Sequence, residues 1–114
     1  MDIESLKVQR RVEELLNKVV YPMLKHFPKS ETFCLCREIK NSFYEVIKDL
    51  MTAANVRKDK IVYLRQTDIQ LKLILVYFNV AEEQNYITKK KLNQLQSEMQ
   101  QICRIVGQLI KNFK

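Results

Sequence analysis

The sequence predicts an all-α protein, a single domain over residues 1–114 built as an up-down-up-down antiparallel four-helix bundle. Turn punctuation is nearly absent, with one Gly and two Pro in 114 residues, so few and long elements are expected. Apolar residues recur at three- and four-residue steps through the long stretches between breaks, the period of helices rather than strands. The breaks themselves are short, which makes consecutive helices antiparallel neighbours. A chain of this length also closes one core without staples.

Val8, Val12, Leu15, Leu16, Val19, Met23 and Phe27 mark the first helix, from Ile3 to about His26. Pro22 falls inside that pattern. Lacking an N–H and crowding the preceding turn, it must kink the helix near Lys18 or restart it. Phe27-Pro28-Lys29 then ends the helix. Ser30 is the expected N-cap of the second helix, with Glu31 well placed in its first turn. Cys36, Ile39, Phe43, Val46, Ile47, Leu50 and Ala54 form its seam, and Asn55 is expected to close it in the left-handed conformation.

The third helix is expected from Arg57 or Lys58 to about Glu83, and it differs from the others. At 100° per residue, Leu64, Leu71, Ile74, Leu75 and Phe78 gather on one side. Val62, Ile69, Leu73, Val76 and Val80 gather on nearly the opposite side. A helix with two apolar stripes is expected to pack inside its own bundle and against something outside it. Lys72, Asp68 and Glu82 interrupt the run too often for a membrane span. Asp68 has Arg65 and Lys72 at helical spacing, so a structural ion pair is the expected role.

Thr88 is the expected cap of the fourth helix, with Ile87 and Leu92 as a hydrophobic staple. Leu92, Leu95, Met99, Ile102, Val106, Leu109 and Phe113 carry its seam to the end. Gly107 costs about 1 kcal/mol against alanine within a helix, which a close approach of another helix would explain.

The three cysteines, Cys34, Cys36 and Cys103, argue against a disulfide framework by their odd number. Cys34 and Cys36 would point to different faces of a helix and cannot share a metal, so free buried or half-buried thiols are expected. His26, the only histidine, has no Cys or His one turn away. There is no Gly-rich phosphate loop and no grouping that helical geometry would assemble into a catalytic triad. The adjacent pairs Glu13-Glu14 and Glu82-Glu83 diverge on a helix. The reading is of no enzyme, no cofactor and no metal. The charged start, MDIESLKVQRRVEE, lacks the apolar region of a signal peptide, which points to the cytoplasm.

The formal net charge of +7 permits an acidic partner such as nucleic acid. In the expected topology one end collects Lys7, Arg10, Arg11, Arg57, Lys58, Lys60, Lys111 and Lys114, against Asp2, Glu4 and Asp59. The other carries Lys25, Lys29 and the run Lys89-Lys90-Lys91, partly offset by Glu31, Glu82 and Glu83. Three cations in the first turn of a helix oppose its dipole, and with the unpaired N–H groups there they make an anion site. The plain alternative is three solvated lysines beside Glu82 and Glu83. The candidate nucleic-acid-binding residues are therefore Lys89, Lys90 and Lys91 at one end. At the other they are Arg10, Arg11, Arg57, Lys58 and Lys60. Only Tyr63 and Tyr86 interleave these clusters, so phosphate contact is expected to outweigh base stacking.

Phe27-Pro28-Lys29, Phe33 and Ile39, Arg57-Asp59-Lys60, the Leu71-to-Ala81 run, Tyr86-Ile87, and Arg104 with Gly107 carry a resemblance. Over nearly its full length the chain resembles the accessory variability determinant (Avd) proteins of diversity-generating retroelements, a four-helix family related to proteins encoded in ribosomal-RNA intervening sequences. Where family members often carry arginines in the third helix this chain has Leu75 and Asn79. Where many have Gly-Gly-Trp it reads Gly107-Gln108-Leu109. The resemblance implies a homopentameric ring that binds RNA or DNA and holds a reverse transcriptase during mutagenic copying of template RNA. The alternative is a structural, self-assembling bundle of the intervening-sequence type with no polymerase partner. On either reading the outer stripe Val62, Ile69, Leu73, Val76 and Val80 is the expected oligomer interface, since so long an exposed apolar patch is an aggregation liability.

Overall fold

The computed structural model describes residues 3–113, among which helices account for nearly everything and there is no strand. The chain is a four-helix bundle. α1 runs over Ile3–Leu15, passes through a π-helical stretch, Leu16–Val20, and finishes at Tyr21–Leu24. A 3₁₀ turn at Lys29–Glu31 leads to α2 (Leu35–Asn55), followed by α3 (Lys60–Glu83) and α4 (Lys89–Asn112). A helix of 24 residues, such as α3 or α4, is about 36 Å long, and these rods fill most of the 43 Å long axis.

Pro22 explains the irregularity of α1. It cannot donate to the Lys18 carbonyl, and a regular turn would drive its ring against that group. The helix widens instead. The Tyr21 N–H donates to the Leu16 carbonyl, five residues back, and the backbone stays helical on both sides. The kink expected near Lys18 is thus a single π turn centred on it, and the α1 register survives to bury Val20, Met23, Leu24 and Phe27.

Two helix boundaries differ from expectation. Ser30 does not cap α2; it sits in the 3₁₀ turn that Pro28 initiates, and α2 begins only at Leu35, after Cys34. Glu31 still serves the helix start, accepting from the Leu35 N–H at 3.4 Å. Asn55 is not left-handed either. It is the last helical residue, its side-chain amide donates to the Met51 carbonyl at 2.7 Å, and the chain leaves through extended Val56. The left-handed positions fall at Asp59, with φ 63°, and Asn85, with φ 65°. Asp59 turns the chain into α3, whose first residue is Lys60 rather than Arg57 or Lys58. Asn85 closes α3. Its N–H reaches the Glu82 carbonyl and the Tyr86 N–H the Ala81 carbonyl, which is the Schellman arrangement.

α1 packs on α2 and α4, and α3 packs on α2 and α4, around one core. Contacts between α3 and α4 run in opposite order along the two helices: Gln96 to Asn79 at one end, Lys60 over the Phe113 ring at the other. Ile39, Phe43, Val46 and Leu50 of α2 face Leu64, Leu71, Ile74 and Phe78 of α3, all solvent-free, with the Phe43 and Phe78 rings 6.3 Å apart. Leu92, Leu95, Met99, Ile102, Val106 and Leu109 complete the core from α4, where the Lys91 N–H donates to the Thr88 hydroxyl, the expected cap, at 3.1 Å. Burial of each such side chain contributes about 1.5–3 kcal/mol.

The buried seam of α4 stops at Leu109, short of expectation, because Phe113 is 43% exposed and serves as a platform for the Lys60 ammonium. Gly107 is not explained by a close helix. A methyl group built there meets nothing within 4 Å, so the isolated chain has room for alanine. Of the cysteines Cys36 is buried and Cys103 half-buried, each thiol pushed up in pKa mainly by burial, while Cys34 is exposed, against the expectation of cover.

Candidate nucleic-acid and assembly surfaces

The outer stripe of α3 stands free of the bundle. Val62, Ile69, Val76 and Val80 are 46%, 65%, 53% and 40% exposed, and Leu73 between them is half-buried. The geometry follows from the helix period: residues that turn Leu64, Leu71, Ile74 and Phe78 inward turn this set outward on the same rod. Leu75 and Asn79 are not part of it. Leu75 packs against the core, and Asn79 accepts from the Gln96 amide at 3.3 Å on the α4 side. Beside the stripe, the buried Gln70 Oε1 has no hydrogen-bond partner. Asp68 holds Lys72 at 2.9 Å, the expected ion pair, and that carboxylate keeps the ammonium pKa raised.

At one end of the bundle the connections before α2 and before α4 are tied together. The Tyr86 hydroxyl donates to Glu31 at 2.8 Å, which raises the phenol pKa, and the Tyr86 and Phe27 rings lie 5.3 Å apart. Tyr86 is therefore committed to structure and is no free stacking surface. Lys89 is 3.7 Å from Glu82, Lys90 is exposed, and Lys91 is half-buried at the edge of a cleft. The three lysines thus differ in what surrounds them, although they are adjacent in sequence.

The opposite end assembles only part of its expected patch. Lys60 at the start of α3 meets Phe113 at the end of α4, while Arg57 and Lys58 are exposed in the connection before it. Arg10 is exposed on α1. Arg11 is turned into the α1–α4 seam, where it hydrogen-bonds Gln101 and lies 3.9 Å from Glu98. It is spoken for, and a phosphate would have to displace those partners. Lys7 sits 4.0 Å from Glu4. Asp2 and Lys114, both expected at this end, lie outside the described residues.

One exposed aromatic has no counterpart among the expected site residues. Phe33, 72% exposed, sits beside the Arg37 guanidinium, which lies 5.9 Å from the ring centroid. A helix capped by Ser30 would put Phe33 in its first turn, whereas the later start of α2 leaves it in the connection. Among the described residues no group of three His, Cys, Asp or Glu side chains could hold a metal ion, and no helix is long and apolar enough to cross a membrane.

Fold and surface together define an all-α four-helix bundle with a basic surface and one uncovered apolar helix face. The family model described as bAvd-like matches residues 6–113, and the chain belongs to that family of Avd-type accessory proteins. Among curated proteins none matches.

Proposed function

We propose that the protein is a non-enzymatic accessory subunit of a diversity-generating retroelement, acting in the cytoplasm as a homo-oligomer that binds the reverse transcriptase and nucleic acid. The observation that carries this reading is the match to the bAvd-like family over nearly the whole chain. The outer stripe of α3 supports the assembly step, because an apolar face of this length on a folded helix is stabilised only by a covering partner. Five copies, the number implied by the family resemblance, would repeat each basic end around a ring. A modest charge per chain then becomes a strong rim, and binding is electrostatic and largely indifferent to sequence. In this reading Lys89, Lys90 and Lys91 contact phosphates at one rim, and Arg10, Arg57, Lys58 and Lys60 at the other.

Two measurements test it. A reverse-transcriptase gene should lie beside the coding sequence and its product should co-purify with the protein as a complex; the absence of such a gene, or a reverse transcriptase that never binds, leaves the self-assembling structural bundle as the better reading. Changing Lys89, Lys90 and Lys91 together to Glu, and separately Arg57, Lys58 and Lys60, should flatten the salt dependence of RNA and DNA binding. The slope should fall in magnitude by about 0.7 to 0.9 for each phosphate that the variant no longer neutralises. If both triple variants keep the slope and the oligomer, the clusters are solvated surface and nucleic-acid binding is wrong.

A further inference from the structure

The seam between the end of α1 and the start of α4 holds a cleft of about 490 Å³ whose lining contains no carboxylate. Lys18 and His26 reach it from α1 and the turn that follows, and Lys91 from α4, while Val19, Met23 and Ile87 supply an apolar wall. The cleft has a structural origin. Lys18 and Val19 belong to the π turn that Pro22 forces on α1, and Pro22 itself lines the hollow. Among the described residues neither Lys18 nor Lys91 has a carboxylate within ion-pair distance, although Lys89, two residues before Lys91, is matched by Glu82. The next hollow along the same seam is different. Lys18 lines that one too, but there it is accompanied by Glu14 and Glu98, and Arg11 already engages Glu98. Of these two hollows, only the cleft beside Pro22 is lined without a carboxylate.

From this convergence we infer that the α1–α4 cleft is a seat for a nucleoside monophosphate, its phosphate held between Lys18 and Lys91 and its base and sugar against Val19, Met23 and Ile87. The volume suits a ligand of that size, and the mixture of unpaired cations with an apolar wall suits a molecule that is anionic at one end and flat and weakly polar at the other. A simple anion would use the lysines and leave the wall idle. The same chemistry is presented by a free nucleotide and by the phosphorylated end of a strand. The inference deepens the nucleic-acid reading and rests on it only for the second source.

Adenosine monophosphate, inorganic phosphate, and one short oligonucleotide with and without a 5′-phosphate are the probes, titrated into the full-length protein by calorimetry. Adenosine monophosphate or the 5′-phosphorylated strand should bind at least about tenfold more tightly than inorganic phosphate. Lys18→Gln and Lys91→Gln should each weaken that binding about tenfold, the loss of one charge-assisted hydrogen bond. Lys48→Gln, exposed on α2 and outside every proposed binding surface, should leave it unchanged. Binding of the free nucleotide identifies the first source; binding of the strand alone, abolished when its 5′-phosphate is removed, identifies the second. The inference is overturned if neither probe outcompetes inorganic phosphate, or if Lys18→Gln and Lys91→Gln bind as the parent does. Long RNA that still binds the parent protein with a steep salt dependence in that event leaves the rim reading standing and removes only the cleft.

Discussion

The two faces of α3 are made of the same kinds of residue and meet opposite fates. Leu64, Leu71, Ile74 and Phe78 are shut away from solvent, whereas Val62, Ile69, Val76 and Val80, on the same rod, keep between 40% and 65% of their surface. Hydrophobicity alone does not separate them. The inner set falls at the spacing that faces α2 and α4, and the outer set falls half a turn away. An apolar stripe records a demand for cover without saying who supplies it. For the inner stripe the chain supplies it; for the outer stripe the single chain does not.

This contrast can be broken from either side. Phe78→Ala on the inner face should destabilise the fold by about 3–5 kcal/mol, as truncation of a packed aromatic leaves a cavity; chemical denaturation reads it directly. The parent protein should scatter light as the proposed oligomer, and Leu73→Asp combined with Val76→Asp on the outer face should reduce it to monomer while circular dichroism stays that of a folded bundle. Unfolding would make the stripe part of the core, and an intact oligomer would move the interface elsewhere. Gly107→Ala sharpens the comparison on α4. With nothing within 4 Å of the added methyl, the folded chain should gain about 0.5–1 kcal/mol; a loss instead would place a partner's helix against that glycine.

The smallest effect concerns Asp49, 8% exposed on α2. Burial pushes its carboxyl above the usual range, with Glu45 adding to the shift and Lys48 opposing it. The folded chain therefore holds that proton more tightly than the unfolded chain. The resulting stability is fully present below the unfolded pKa of 3.8 and is lost as pH rises through the higher folded value. Asp49→Asn should remove that pH dependence and raise the melting temperature slightly at pH 7. A melting temperature that falls at neutral pH would mean that the carboxylate stabilises the fold despite its burial.

Much of this was legible from the residues. The four helices, the Thr88 cap, the α4 seam from Leu92 to Leu109, the Asp68–Lys72 pair and the disturbance at Lys18 all follow from local rules, because each depends on neighbours within one or two turns. Helix ends were harder. An asparagine in the left-handed conformation does close a helix here, but it is Asn85 and not Asn55. Asn55 found its partner in the Met51 carbonyl, and nothing within the local sequence distinguishes the two choices. Charge was harder still. Lys89, Lys90 and Lys91 read as one motif and became an ion-paired, an exposed and a cleft-edge lysine. Arg11 read as surface and turned toward Gln101, 90 residues away.

By itself the sequence determined the number of helices, the face each one buries and the presence of a second apolar stripe on α3, since helical periodicity is a one-dimensional property. Only the tertiary structure decided which charges are already neutralised and which stand unpaired over a cleft. Those outcomes depend on distances between helices that are far apart in the chain, and the approach of a carboxylate or an amide from another helix leaves no mark on any local pattern.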